Sequence, residues 1–153
     1  MSKLLITLCL SLFTMAAYAQ PQQFKIKPLE GFFLDGKVPL EKGPNFFVIK
    51  DRKKFISWFG HINKPDTPNF DFVNVVVMAL RPTKKQAQIG FYPNAVKAGN
   101  YIEIYCTIEE NKFPLTYTAY PIVLASIPKY FSVTKVNFYD LEEKKLLASV
   151  PIK

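Results

Sequence analysis

Apolar positions along this chain mostly recur at every second residue, and one run breaks that rule. Residues 72–80 read Phe-Val-Asn-Val-Val-Val-Met-Ala-Leu, apolar at every position but one. Val73 and the three consecutive valines 75–77 are stiff at χ1 and favour extended backbone. A strand with so little alternation is covered on both faces, so this run predicts the centre of a sheet. Arg81-Pro82 ends it, because proline cannot donate to a central ladder.

The remaining runs alternate. Phe24 and Ile26 alternate with Lys25 and Lys27, and residues 45–50 form a second apolar run. Ala87, Ile89 and Phe91 share one face of residues 86–92. Over residues 101–109, Ile102, Ile104, Cys106 and Ile108 face one side, and Tyr101, Glu103, Tyr105 and Thr107 the other. Residues 131–139 and 146–152 supply two further strands. Charged or proline-bearing turns are expected at 82–85, 110–112 and 140–144. Residues 113–129 read as an extended segment punctuated by Pro114, Pro121 and Pro128, which predicts an edge strand.

One stretch has helical spacing instead. Phe55 and Phe59 stand four apart and Phe55 and Trp58 three apart, giving residues 52–60 an aromatic face. Asp51 is placed to cap its amides, and Gly60 to end it in a left-handed conformation. The pattern as a whole predicts a mainly β fold: an antiparallel sheet, sandwich or partly open barrel with one short helix at about 52–60.

Composition narrows the class. Of 153 residues 49% are hydrophobic, and Phe and Tyr supply 22 of the aromatics, so one core can form without a metal or disulfide staple. Residues 1–19 read as a secretory signal peptide: Lys3, an apolar stretch over 4–15, then Ala17-Tyr18-Ala19 before Gln20. Leu8 is too bulky for a lipidation signal at Cys9. Residues 20–153 are then a single β-rich domain, periplasmic or extracellular, with a charge of +7 (19 basic against 12 acidic residues) and one cysteine, Cys106. A single cysteine allows no internal disulfide framework. In an exported protein the basic balance favours an acidic surface polymer or acidic partner over nucleic acid. No later stretch is long and apolar enough for a transmembrane helix.

Catalytic chemistry finds little to use. His61 is the one histidine, placed in a loop, while Cys106 shares a strand face with three isoleucines, the setting of a packed thiol. Asp66 and Asp71 are too few and too far apart for a calcium loop, and zinc lacks ligands. No cofactor is expected. Arg52, Lys53 and Lys54 lie in the first turn of the helix, where free amides and cations together could receive an anion. Phe113, Tyr117 and Tyr120 are candidate partner-binding aromatics on the proline-punctuated segment. Tyr101 and Tyr105, with Tyr117 and Tyr120, could instead make a carbohydrate-binding face or pack across neighbouring strands.

A family resemblance adds to this. Phe55-Ile56-Ser57-Trp58-Phe59, Phe70-Asp71-Phe72 before the valine strand, Thr118-Ala119-Tyr120-Pro121-Ile122-Val123 and Ile127-Pro128-Lys129 resemble the C-terminal domain of PrcB-like protease-complex proteins. The resemblance covers roughly residues 46–138. Where that family carries a glycine-rich hairpin, this chain has Arg81-Pro82-Thr83-Lys84-Lys85. The family is named for an exported subunit that stabilises a secreted protease and is not itself a protease. The resemblance implies a non-enzymatic accessory protein that binds another exported protein, a secreted protease or other envelope component. A carbohydrate or cell-envelope binding module is the alternative expectation, and a small hydrolase the third.

Overall fold

The valine run is indeed interior. In the computed structural model, which describes residues 20–61 and 65–152, it forms strand β6 (Val73–Ala79). The signal-peptide expectation falls on residues 1–19, outside the described residues. Strand β6 lies between β4 (Asn45–Ile49) and β9 (Ile122–Pro128), and β2 (Lys27–Leu29) completes a four-stranded sheet in the order β2-β9-β6-β4. A second sheet runs β1-β7-β8-β10-β11, from β1 (Gln22–Lys25), β7 (Thr83–Ala98), β8 (Tyr101–Ala119), β10 (Lys135–Asp140) and β11 (Leu146–Pro151). A small pair, β3 (Phe32–Leu34) with β5 (Phe59–His61), and helix α1 (Arg52–Trp58) form a third layer.

The expected mainly β architecture is therefore a sandwich with one short helix among the described residues, and the sheets are antiparallel with one exception. Strand β10 runs parallel to β8, in register Lys135↔Tyr101 to Asp140↔Cys106. Hairpin spacing cannot announce such a pair, because β9 intervenes in the other sheet.

Alternation on β6 sorts its side chains into two cores. Val76 and Met78 join Ile102, Ile104, Cys106, Val136 and Phe138 between the two large sheets. Val75 and Val77 point the other way, onto Phe55, Phe59 and Phe70 under the helix layer. Phe46 stacks on Phe138 at 4.7 Å between ring centres, stitching the sheets together.

Several local expectations are corrected. The helix ends at Trp58, not at residue 60. Phe59 is already extended, and Gly60 lies in β5 without positive φ. Its glycine serves a different need: Phe33 stands directly opposite, and a Cβ on Gly60 would collide with that ring. The single strand expected at residues 24–27 divides at Ile26. Strand β1 pairs in one sheet and β2 in the other, and buried Ile26 bonds through its amide to Pro93 O at 2.9 Å. The turns expected at 82–85 and 110–112 fall instead within or beside β7 and β8. These strands extend past their neighbours as a two-stranded arm whose outer part, residues 84–86 and 109–114, is solvated, and there polar side chains are the stable choice.

The largest correction concerns residues 113–129. Strand β9 is no edge: β2 and β6 flank it on either side. Its prolines do not interrupt the ladder, because Pro121 precedes the strand and Pro128 closes it, while Pro114 belongs to the β7–β8 arm. Only residues 113–119 remain near an edge. Beyond Cys106, β8 has left β10 and, among the described strands, pairs with β7 alone.

Candidate functional site

The chain passes twice from one sheet to the other at the same corner. Strand β6 leads through Leu80-Arg81-Pro82 into β7, and β8 returns through Tyr120-Pro121 into β9. The Leu80 amide donates to Pro121 O at 3.0 Å, so the two crossings remain paired as they bend. Prolines are tolerated at such a corner because the ladder is interrupted there in any case. Residues 115–118 of β8 have no ladder partner between the pairs Thr83↔Ala119 and Lys85↔Pro114, a bulge that bends the arm.

The segment after β3 folds over this corner. The Val38 amide donates to Asp35 O at 3.0 Å, the Lys37 amide to the Asp35 carboxylate at 3.1 Å, and the Asp35 amide to Trp58 O at 2.7 Å. Between this segment and the corner lies a cleft of about 640 Å³, lined by Phe33, Val38, Leu40, Leu80, Tyr120 and Ile122 among others. Arg81 stands at it with its Nε donating to Leu40 O at 2.8 Å. The volume is in the usual range for a ligand or side-chain pocket, and the lining is mainly apolar. Sequence reading missed this cleft, since its walls come from three separated stretches, each ordinary by itself.

The three aromatics expected to bind a partner are all in solvent: Phe113 is 70% exposed, Tyr117 63% and Tyr120 72%. They do not form one compact cluster. Tyr120 lines the cleft, Tyr117 sits in the bulge, and Phe113 lies further along the arm beside Pro114. Tyr101 and Tyr105 behave differently. Both are half-buried on the outer face of the five-stranded sheet, where Tyr105 stacks on Tyr139 at 5.6 Å and lysines 135 and 144 lie over Tyr101 and Tyr105. Burial raises the Tyr105 phenol above its ordinary pKa, with Glu103 and Tyr139 adding to the shift. Those two rings pack across neighbouring strands, and of the four candidate tyrosines the exposed ones are 117 and 120.

Arg52, Lys53 and Lys54 are exposed at the start of α1. The helix end is already occupied by its own carboxylate: Asp51 accepts from the Lys54 amide at 2.8 Å. The Lys54 ammonium folds back over the Trp58 ring at 4.6 Å. A seven-residue helix capped in this way presents no open anion cradle.

His61 and Cys106 are not brought together. His61 ends β5 in the outer layer, and Cys106 is fully buried between the two large sheets. Burial, with a smaller contribution from Asp140, pushes the thiol up to about 12, so it is neutral at physiological pH and has no thiolate to attack with. Among the described residues no three His, Cys, Asp or Glu side chains gather as a metal-ligand set. No helix among them is long and apolar enough to cross a membrane. No family model, curated protein or solved structure matches the chain.

Proposed function

We propose that this chain is an exported, non-enzymatic binding or accessory protein that stabilises or regulates a secreted protease or another envelope protein. One observation carries the reading. An apolar cleft with Tyr120 in its wall continues into a bulged strand that exposes Tyr117 and Phe113. Large aromatics in solvent beside an apolar pocket are what protein interfaces use as anchors. Among the described residues β8 beyond Cys106 pairs on one side only, which leaves backbone groups that an extended partner segment can meet. Resemblance to the PrcB-like domains points to the same class of partner.

The test replaces Tyr117 and Tyr120 together by Ser and repeats a pull-down from native envelope extract. Both side chains are exposed, so the unfolding midpoint should stay within about 0.5 kcal/mol of the parent in free energy. A protein recovered by the parent should be lost by the variant. Unchanged recovery removes this corner from the interface. Retention on a glycan matrix, with no protein recovered, favours the carbohydrate module instead.

A further inference from the structure

The end of the sandwich opposite the cleft carries the two most exposed phenylalanines among the described residues, Phe131 at 100% and Phe72 at 73%. Strands β6 and β9 run between the two ends: Ala79↔Ile122 borders the corner and Val73↔Pro128 the far end. Both rings sit on tight turns. Val133 donates to Tyr130 O at 3.1 Å, which puts Phe131 at the tip. Phe72 donates to Asn69 O at 3.1 Å, and the Asn69 side chain accepts from the Asp71 amide at 3.1 Å. The two turns are joined, since the Lys129 amide donates to Phe72 O at 2.9 Å and its ammonium to Phe70 O at 3.0 Å. A third turn is tied in by the Thr134 amide on Asn100 O at 2.8 Å.

These turns are not loose loops that carry an aromatic by accident of sequence. Their backbones are bonded to one another, so Phe72 and Phe131 are held outward by a fixed frame. Behind them stand rings with a polar tip and lysines: Lys97 lies over Tyr130 at 5.6 Å and Lys135 over Tyr101 at 5.8 Å. Together with Lys129 they give this end three cations, two of them on the flanking strands, against Asp71 in the turns and Glu103 on β8 two residues past Tyr101. Phenylalanine outermost, tyrosine behind it and lysine around both is the order in which a bilayer presents hydrocarbon, interface and phosphate.

We propose that this end of the sandwich docks on an anionic lipid surface. Phe72 and Phe131 enter between the headgroups, and Lys97, Lys129 and Lys135 meet the lipid phosphates. Neither component suffices alone. Two rings give shallow insertion, and three lysines give roughly fivefold each near an anionic surface, an attraction screened by salt. Docked in this way, the protein presents its cleft and the β7–β8 arm away from the membrane. The proposal does not rest on the partner-binding reading, because the two involve opposite ends.

Co-sedimentation of the purified exported protein with vesicles tests it. The probes are phosphatidylcholine vesicles with and without about one-third phosphatidylglycerol. The expected result is binding to the mixed vesicles, weaker by about tenfold or more on pure phosphatidylcholine or in high salt. Phe72→Ser with Phe131→Ser should lose a further tenfold or so, with an unchanged circular dichroism spectrum and unfolding midpoint, since neither ring is packed. Tyr117→Ser with Tyr120→Ser should bind vesicles as the parent does. Failure of the parent to bind mixed vesicles overturns the proposal, as does equal binding by the Phe72/Phe131 variant. If that variant instead loses a protein partner in the envelope pull-down while no vesicle binds the parent, this end belongs to a protein interface.

Discussion

The two faces of β6 are buried by different means. Toward the five-stranded sheet, Val76 and Met78 meet a core that is mostly aliphatic, closed by strands with long ladders of their own. Toward the helix layer, Val75 and Val77 meet phenylalanines, with Phe55 at the centre of rings 32, 59 and 70 at 5.0, 4.9 and 5.5 Å. The elements supplying those rings are slight: two three-residue strands, a seven-residue helix and, for Phe70, the turn before β6. A helix that short is not stable without the surface it covers. The inner core therefore holds the sandwich together, and the aromatic cap is held by the sandwich. The cap in turn supplies the segment over the cleft, so the corner proposed to bind a partner depends on the less self-sufficient of the two cores.

Removing the ring at the centre of each core breaks this comparison most directly. Phe138→Ala deletes a fully buried side chain stacked on Phe46 and near Phe91. It should cost about 4 kcal/mol of unfolding free energy in denaturant titration, and amide protection should fall throughout both large sheets. Phe55→Ala should cost less, about 3 kcal/mol, because the cap can settle onto the space. Its signature is regional: exchange should quicken in residues 52–61 while the amides of β6 and β9 stay protected. A uniform loss of protection would show that the cap and the sandwich are one cooperative unit.

A gentler test uses pH. The unfolded Cys106 thiol ionises near 9.0, and in the folded protein burial holds it neutral up to about 12. The native state thus binds the proton more tightly. The stabilisation is complete below pH 9 and is lost as pH rises toward 12, at up to about 1.4 kcal/mol per unit. Cys106→Val should flatten that part of the stability profile. A profile already flat in the parent would mean that the thiolate forms in the folded protein, and that the inner core admits water.

Much of this was legible in the residues, and the failures have physical causes. The β6 run announced its own place because β-branched residues on both faces have no solvent-facing alternative. Asp51 capped as its position demanded, because a side-chain oxygen beside free amides has one obvious use. The β7–β8 arm was not legible: Lys84-Lys85 and Glu110-Asn111-Lys112 have the polarity of turns because the arm is wet, not because the chain reverses. Prolines 114, 121 and 128 misled because their effect depends on register, which one sequence does not display. Phe113, Tyr117 and Tyr120 stand out as interface aromatics by type, but the cleft beside Tyr120 exists only once residues 33–40 fold across the corner.

The paired crossing at the corner has a consequence for how the chain assembles. From the Gly99-Asn100 turn, β7 and β8 pair outward to Thr83↔Ala119, and the same two stretches of chain continue as β6 and β9 to Val73↔Pro128. The middle of both sheets is thus one long hairpin, bent once. It can close like a zipper, each new contact shortening the loop to the next, so that chain entropy is surrendered in small steps and not in a single long-range search. Strands β10, β4 and β2 then meet a template that already exists. A sandwich, by topology a slow folder, acquires in this way a mostly local route to its centre.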